Sequence, residues 1–528
     1  MSRRIVSVAI LVALLAWPCA AVSASPAGSA PEGLYSLADE GAYNRFTNNV
    51  KGYSLLVGKS MSVDMSLSGV AATLESPDVR IRIFTQSLGE VSRASYQAYS
   101  NGFLNNAVDH VLEYQGYQDI GGWNAYITQW YRGKLLRVAN DKNYYVCIDV
   151  PINAGEVLTI FMSASQPIYL SGGYAYLIEG LKLCEKTAPP YVRKAAPGDK
   201  RARGWNAETQ TFFDHYFNAA APLAWGIFEP TFPQFTYYLR DIETQVGYTF
   251  PVTLNYSGFE NKTMHSELDA RLRAAHAEGK TLELTLQTSA AAEGESNQVY
   301  QVLNGEYDEF LRNYAKSVAS FGHPVLFRLG NEMNGDWCPY SGYNTSRDPS
   351  VFVEFYKYVY DHFKREGAAN VIWVWNPNGK SFPDFDWNNE LMYYPGDDLV
   401  DVVGLTAYNT GNYYPGETWK SFAELYDNLY YPYLEKYDKP FMITEFSCAQ
   451  LGGDKAQWIR DMFVHIKYYD RIKMAVWWNA ADYDAYGNIS RSYFINAPYS
   501  LTKIFRENLN GASPARPADV SWKESVFA

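Results

Sequence analysis

The chain has 528 residues, 47% of them apolar and 19% charged, and a formal charge of −12. That length calls for two or three domains, and the apolar share is that of a chain that buries a real core. The acidic balance argues against nucleic acid or an anionic membrane surface as partner.

Residues 1–24 read as an export signal. Arg3 and Arg4 precede the apolar run 5–17, and a small-residue cleavage site ends at Ala24. The run is too short for a membrane span, and no later stretch reaches about 18 apolar residues. A soluble secreted, periplasmic or extracellular protein is expected. Removing the signal leaves 43 basic residues against 57 acidic ones. It also leaves four cysteines, Cys147, Cys184, Cys338 and Cys448, whose spacing matches no zinc pattern and fixes no pairing. No metal or cofactor is expected.

Residues 25–44, rich in Ala, Ser, Gly and Pro, read as a flexible lead-in. From 45 to 186 the chain has short alternating apolar runs such as VRIRIF (79–84), YYVCIDV (144–150) and VLTIFM (157–162). This pattern predicts an antiparallel β-sandwich, an ancillary domain with either a carbohydrate-binding or a structural role. The Pro-, Ala- and Lys/Arg-rich stretch 187–204 reads as a linker.

Residues 205–515 alternate strand and helix patterns, with 516–528 as a tail. Eight strands are expected, at 223–228, 251–256, 281–287, 324–332, 371–375, 400–405, 440–446 and 473–478. Amphipathic runs such as 266–279 and 352–367 lie between them. Eight such units in about 300 residues predict a (β/α)8 barrel. An open doubly wound sheet is the alternative, but no glycine-rich fingerprint follows the first strand.

Barrels of this kind carry their chemistry where strands end. Glu332 ends the fourth strand, in FRLGNEMNGDW (327–337), and Glu445 ends the seventh, in MITEFS (442–447). Two acids converging on one cleft are what glycoside hydrolysis needs: one protonates the leaving oxygen, the other attacks the anomeric carbon or activates water. At about 5 Å and an effective dielectric of about 20, two carboxylates repel by roughly 3 kcal/mol, or about two pKa units. That is enough to keep one of them protonated near neutral pH. The aromatic content, 16% with 44 Tyr and 14 Trp, favours a carbohydrate ligand further, because flat rings stack on pyranose C–H faces.

Together with VIWVWNPN (371–378), YYPGDDLVDVVGLTAYN (393–409) and KPFMITEFS (439–447), the Glu332 segment resembles the signature segments of glycoside hydrolase family 26. The resemblance covers roughly residues 220–508 and does not reach 45–186. It implies a (β/α)8 barrel, a retaining mechanism, and a β-linked polysaccharide substrate of the mannan, mixed-linkage glucan or xylan type. Carried over by position, Glu332 is the general acid/base and Glu445 the nucleophile. Arg328 steadies the acidic pair, and Tyr408 hydrogen-bonds the nucleophile. Trp337 and the tandem Trp477–Trp478 match aromatic positions around the central sugar. Only one of the tandem pair can face inward, and Trp477 is the expected one.

Two positions depart from the mannanase pattern. Asn331 stands where a His precedes the acid/base, and Gln287 and Thr288 stand where a His lies near the end of the third strand. An Asn-Glu pair is found in the wider clan of retaining barrel glycosidases, where Asn bonds the sugar 2-hydroxyl. Mannan specificity therefore does not follow. Cys338 and Cys448, six and three residues beyond the acids, are expected on the cleft rim. Two other readings are an enzyme that trims the producer's own exopolysaccharide and a non-catalytic carbohydrate-binding protein on the same barrel.

Overall fold

A computed structural model of the chain describes residues 30–169, 173–198 and 203–509. The expected export signal, the tail 516–528 and part of the linker lie outside these residues.

The N-terminal part is a sandwich of two antiparallel sheets. The smaller has four strands, with Tyr35–Glu40, Tyr43–Asn48, Tyr53–Gly58 and Lys182–Leu183 side by side. The larger has seven and is centred on Val79–Ser87, Glu156–Ala164, Tyr144–Pro151 and Trp123–Arg132. Its central strands are buried on both faces. Val146, Ile148, Leu158, Ile160 and Met162 pack towards the smaller sheet, against Phe46, Leu55 and Val57. Tyr145, Cys147, Val157 and Phe161, on the alternate positions, join the core shared with the barrel. Burial on both faces is why these strands read as nearly continuous apolar runs.

The lead-in expected over 25–44 is structured from residue 35. Tyr35–Glu40 pairs with Tyr43–Asn48 through a tight turn, where Gly41 has φ +72° and donates its N–H to Asp39 Oδ1 at 2.9 Å. All six residues of the first strand are exposed, so it carries no apolar alternation to reveal it.

The segment after the sandwich is fixed rather than free. Arg193 N–H donates to Ser66 at 2.7 Å, and its guanidinium pairs with Asp397 at 2.9 Å. Ala195 forms a parallel bridge with Tyr437.

Eight parallel strands close a barrel: Ala224–Phe228, Val252–Gly258, Thr281–Gln287, Val325–Leu329, Val371–Trp375, Val402–Thr406, Phe441–Phe446 and Ile472–Trp478. All eight fall on the expected segments. Alternate residues fill the interior, among them Val252, Leu254, Leu326, Ile372, Val374, Val402, Met442, Met474 and Val476. Their neighbours in sequence pack on the surrounding helices. The helix Pro349–Arg365 begins with Pro at its first turn, where the missing N–H is not needed, and Asp348 accepts from Ser350 N–H as its cap. Among the described residues no helix is long and apolar enough to cross a membrane.

The sandwich and the barrel share one apolar core, and a loop of the barrel enters the sandwich. Arg347, fully buried with φ +55°, donates to Cys147 Sγ at 3.0 Å and to Tyr96 Oη at 2.9 Å. Next to it, Asp348 pairs with Arg82 at 3.1 Å and accepts from Tyr145 Oη at 3.3 Å. His110 Nε2 lies 3.0 Å from Ser346 Oγ, and Trp387 Nε1 donates to Ser100 Oγ at 3.1 Å. Buried polar groups satisfied across an interface fix its register as well as its area.

Candidate active site

The fourth barrel strand ends at Leu329, and the chain then turns sharply. Gly330 has φ +55°, and a Cβ there would lie 2.9 Å from the Phe352 ring. Glu332 follows at φ +56°, a left-handed conformation rare for a residue with a side chain and a form of local strain found at functional sites. Its N–H donates to Asn376 O at 2.7 Å, which ties the turn to the end of the fifth strand.

Glu445 reaches the same place by a different device. In a regular seventh strand, with Met442 and Thr444 inward, Glu445 would point at the helices. The pairing with the eighth strand jumps from Ile443–Ala475 to Phe446–Trp477, three residues against two. On the other side Thr406 pairs with Glu445 after Leu405 pairs with Ile443. This β-bulge gives the strand one extra residue, so Glu445 turns inward while Phe446 returns to the helix layer beside Trp477.

Arg328 lies beneath both acids with no exposed surface. It donates to Thr285 Oγ1 at 2.8 Å, Asn376 Oδ1 at 2.9 Å and Glu445 Oε2 at 2.9 Å. The Tyr256 hydroxyl also donates to Glu445 Oε2. Two such donors suit an anionic oxygen. At Glu332, burial first, and then the charge on Glu445, push the carboxyl up to about 8, partly offset by Arg328 and a hydrogen bond from Trp337.

A third acid, Glu283, completes the cluster on the floor of the site. Its carboxyl is fully buried, and Arg328 Nε lies 3.3 Å away but directs its hydrogen to Thr285. Neither Glu283 oxygen has a hydrogen bond, and burial raises its carboxyl to about 8. The protonated form of Glu283 leaves the charge of Arg328 to Glu445.

Glu332 and Glu445 face an open cavity of about 1210 Å³ walled by Trp337, Phe382, Tyr408, Trp478 and Tyr493, with Tyr256 at its base. Arg328, Glu332, Trp337, Tyr408 and Glu445 are thus brought together, with Trp478 beside them. Four details differ. The tyrosine bonded to Glu445 is Tyr256, inward-facing in line with Val252 and Leu254; Tyr408 lines the wall and packs on Trp478 and Tyr493. Of the tandem pair Trp478 lines the cavity, in line with Met474 and Val476. Trp477 is buried in the helix layer between Phe446 and Phe505.

Asn331 does not reach the cavity wall. It is 3% exposed, its Oδ1 accepts from Gln287 Nε2 at 2.6 Å, and its backbone oxygen accepts from Tyr340 at 2.6 Å. The two positions that depart from the mannanase pattern are therefore bonded to each other. Cys338 and Cys448 are buried rather than on the rim, and all four cysteines among the described residues are free. Burial raises the thiol of Cys448 to about 12 and pushes that of Cys338 up as well, so neither is a ready nucleophile.

Residues 276–497 match the model of glycosyl hydrolase family 26. The matched stretch, which is similar to this family, takes in the third to eighth barrel strands and both acids.

Among curated relatives, the chain is 28% identical over 225 residues to Endoglucanase H of Acetivibrio thermocellus, covering 42% of this chain and 24% of that protein. It is 30% identical over 168 residues to a mannan endo-1,4-beta-mannosidase of Bacillus subtilis, covering 30% and 41%. To Beta-1,3-xylanase TXYA of a Vibrio species it is 28% identical over 175 residues, covering 32% and 35%. The chain thus spans between about a quarter and two fifths of the length of these relatives. A solved Bacillus subtilis mannanase is 19% identical and covers 54% of this chain and 89% of that one, with a TM-score of 0.39.

Sequence reasoning missed three members of the site: Tyr256, Glu283 and Asn376. Each had a signal. Tyr256 follows Val252 and Leu254 on an inward face otherwise apolar, and Glu283 lies between Thr281 and Thr285 on the polar inward face of a strand whose Leu282, Leu284 and Leu286 pack on the helices. Asn376 lies inside VIWVWNPN, one of the segments that carried the family resemblance.

Proposed function

We propose that the chain is a retaining endo-β-glycanase that cleaves a β-linked polysaccharide by double displacement. The observation that carries this reading is one open cavity facing two acids in opposite environments, Glu332 raised to about 8 and Glu445 held by Arg328 and Tyr256. Glu332 enters protonated and gives its proton to the glycosidic oxygen as the bond breaks. Glu445 attacks the anomeric carbon and forms a glycosyl-enzyme. Glu332, now a carboxylate, then takes a proton from the water that releases the sugar. Arg328 and Tyr256 orient the attacking oxygen, and Trp337, Tyr408 and Trp478 offer rings to the sugars on either side.

The curated relatives bear the names endoglucanase, mannosidase and xylanase, which supports a β-glycan substrate without selecting one. The Asn331–Gln287 pair is the part of the site that separates this chain from the mannanase pattern. Export, read from residues 1–24, is part of the proposal and fits a polymer too large to enter a cell.

A depolymerisation screen over mannan, glucomannan, mixed-linkage glucan, xylans and the producer's own exopolysaccharide tests the reading. Release of shorter oligosaccharides from at least one polymer, with the β-anomer appearing first by NMR, is the expected result. First release of the α-anomer removes the retaining mechanism, and cleavage of none favours a carbohydrate-binding protein. Cleavage of the exopolysaccharide alone makes the trimming role the right one.

A further inference from the structure

The wall of the cavity stops at Trp337, Phe382 and Asp384, on the loops that follow the fourth and fifth strands. The next surface along this rim belongs to the N-terminal sandwich. Its helix Arg93–Ser100 carries Tyr99, whose hydroxyl donates to Asp336, the residue beside Trp337. The Tyr99 ring lies 5.2 Å from Tyr343 and 6.4 Å, edge on, from Phe385. It remains 39% exposed, next to a Trp337 that is 52% exposed and a Phe382 that is 40% exposed. Trp337 and Phe382 are themselves 5.3 Å apart.

These rings have more open area than core packing requires; Trp337 and Phe382 line the cavity, and Tyr99 is anchored to the same loop through Asp336. A ring open on one side and hydrogen-bonded at its edge suits a pyranose, whose C–H face stacks while its hydroxyls meet the polar rim. The mounting is rigid. Ser100, the next residue, accepts from Trp387 of the barrel, and Tyr96, one turn earlier, bonds the buried Arg347. A contact held this firmly loses little entropy when a ligand docks.

We propose that Tyr99 forms a distal sugar-binding subsite, contributed by the N-terminal domain, that extends the cleft beyond Trp337 along the same β-linked chain. The ancillary domain is then part of the substrate path rather than a separate binding module. This rests on the glycanase reading above, and the test separates the two.

The experiment compares Tyr99→Ala, Tyr99→Leu and Tyr99→Phe with wild type on length-fractionated glucomannan and mixed-linkage β-glucan oligosaccharides and on an aryl β-glycoside. Thermal unfolding of each variant is checked alongside. Tyr99→Ala should lower kcat/KM on long oligosaccharides relative to the aryl glycoside by about fivefold or more, the scale of one stacking contact. Tyr99→Phe, which keeps the ring and loses the Asp336 bond, should stay close to wild type. If Tyr99→Ala fails to fold, Tyr99→Leu answers the same question. Equal losses on long and short substrates would mean that Tyr99 only props the Trp337 loop, and the subsite is overturned; no change on any substrate overturns it too. If wild type cleaves none of the glycans, the glycanase reading fails and the subsite is read by affinity electrophoresis in gels containing the same polymers. Retardation lost in Tyr99→Ala supports it, and retardation that is unchanged, or absent in wild type, overturns it.

Discussion

Arg328 meets Glu445 with a single nitrogen, Nη2 to Oε2 at 2.9 Å, while its other nitrogens are committed to Thr285 and Asn376. The guanidinium plane is therefore fixed at three points, and the carboxylate oxygen it holds is fixed with it. A lysine keeps the charge but not the fork. Arg328→Lys is expected to lower kcat by about 100-fold with a smaller change in KM, because the damage falls on geometry needed in the transition state. Steady-state kinetics on the best polymer from the screen checks this.

The raised carboxyl of Glu332 sets a pH limit. A general acid with a value of about 8 is protonated below that pH and lost above it. On natural glycans kcat/KM should therefore fall as pH rises through about 8, and Glu332→Ala should remove that limb. The variant should lose far more activity on glycans than on aryl glycosides with good leaving groups, which need no proton. A pH–rate profile on both substrate classes reads both effects.

Glu283 makes a separate prediction about stability. Its folded value of about 8 lies above the ordinary 4.5, so the native state binds a proton that the unfolded chain has released over that window. The stabilisation is complete below about pH 4.5 and lost as pH rises to about 8. Glu283→Gln, neutral throughout, should flatten the fall in Tm across that range. If its Tm falls as steeply as that of wild type, Glu283 is not the titrating group.

The two tryptophans should separate function from stability. Trp477→Ala removes a fully buried indole between Phe446 and Phe505 and should cost roughly 3–5 kcal/mol in urea unfolding. Trp478→Ala, on the cavity wall, should raise KM several-fold with a smaller loss of stability. The opposite pattern would restore Trp477 to the cavity.

The joint between sandwich and barrel should unfold as part of one structure. Arg347→Met deprives Asp149, buried 3.9 Å away, of its nearest cation and removes the donors to Cys147 and Tyr96. The expected loss is roughly 3–5 kcal/mol. Unfolding followed by near- and far-ultraviolet circular dichroism should show one transition; two well-separated transitions would mean that the domains stand independently.

Much of this was legible in the sequence. The barrel strands stood out because burial on both faces makes most of them compact apolar runs, the third (TLELTLQ) showing alternation instead, and Glu332 and Glu445 stood out as acids at the ends of apolar runs. Glu445 shows the limit of counting. Strict alternation from Met442 sends it outward, and only pairing with neighbouring strands reveals the bulge. Trp477 and Trp478 differ by one residue, and choosing between them requires knowing which partners, Met474 and Val476, fill the barrel. Arg347 and Asp348 sit in a polar loop whose residues resemble solvent-exposed ones, because burial by a distant domain leaves no periodic trace. Tyr35–Glu40 was missed for the opposite reason, being a strand with no buried face.

The bulge at Glu445 also means that shape and chemistry are separable at a single codon. Deleting Glu445 itself would let the seventh strand pair in regular register, with Thr444 inward and Phe446 still in the helix layer, and the barrel close. Such a chain would keep its outline and its aromatic-walled trough but have no nucleophile. On the proposed glycanase reading, this change gives an inert twin for capturing the bound polymer intact.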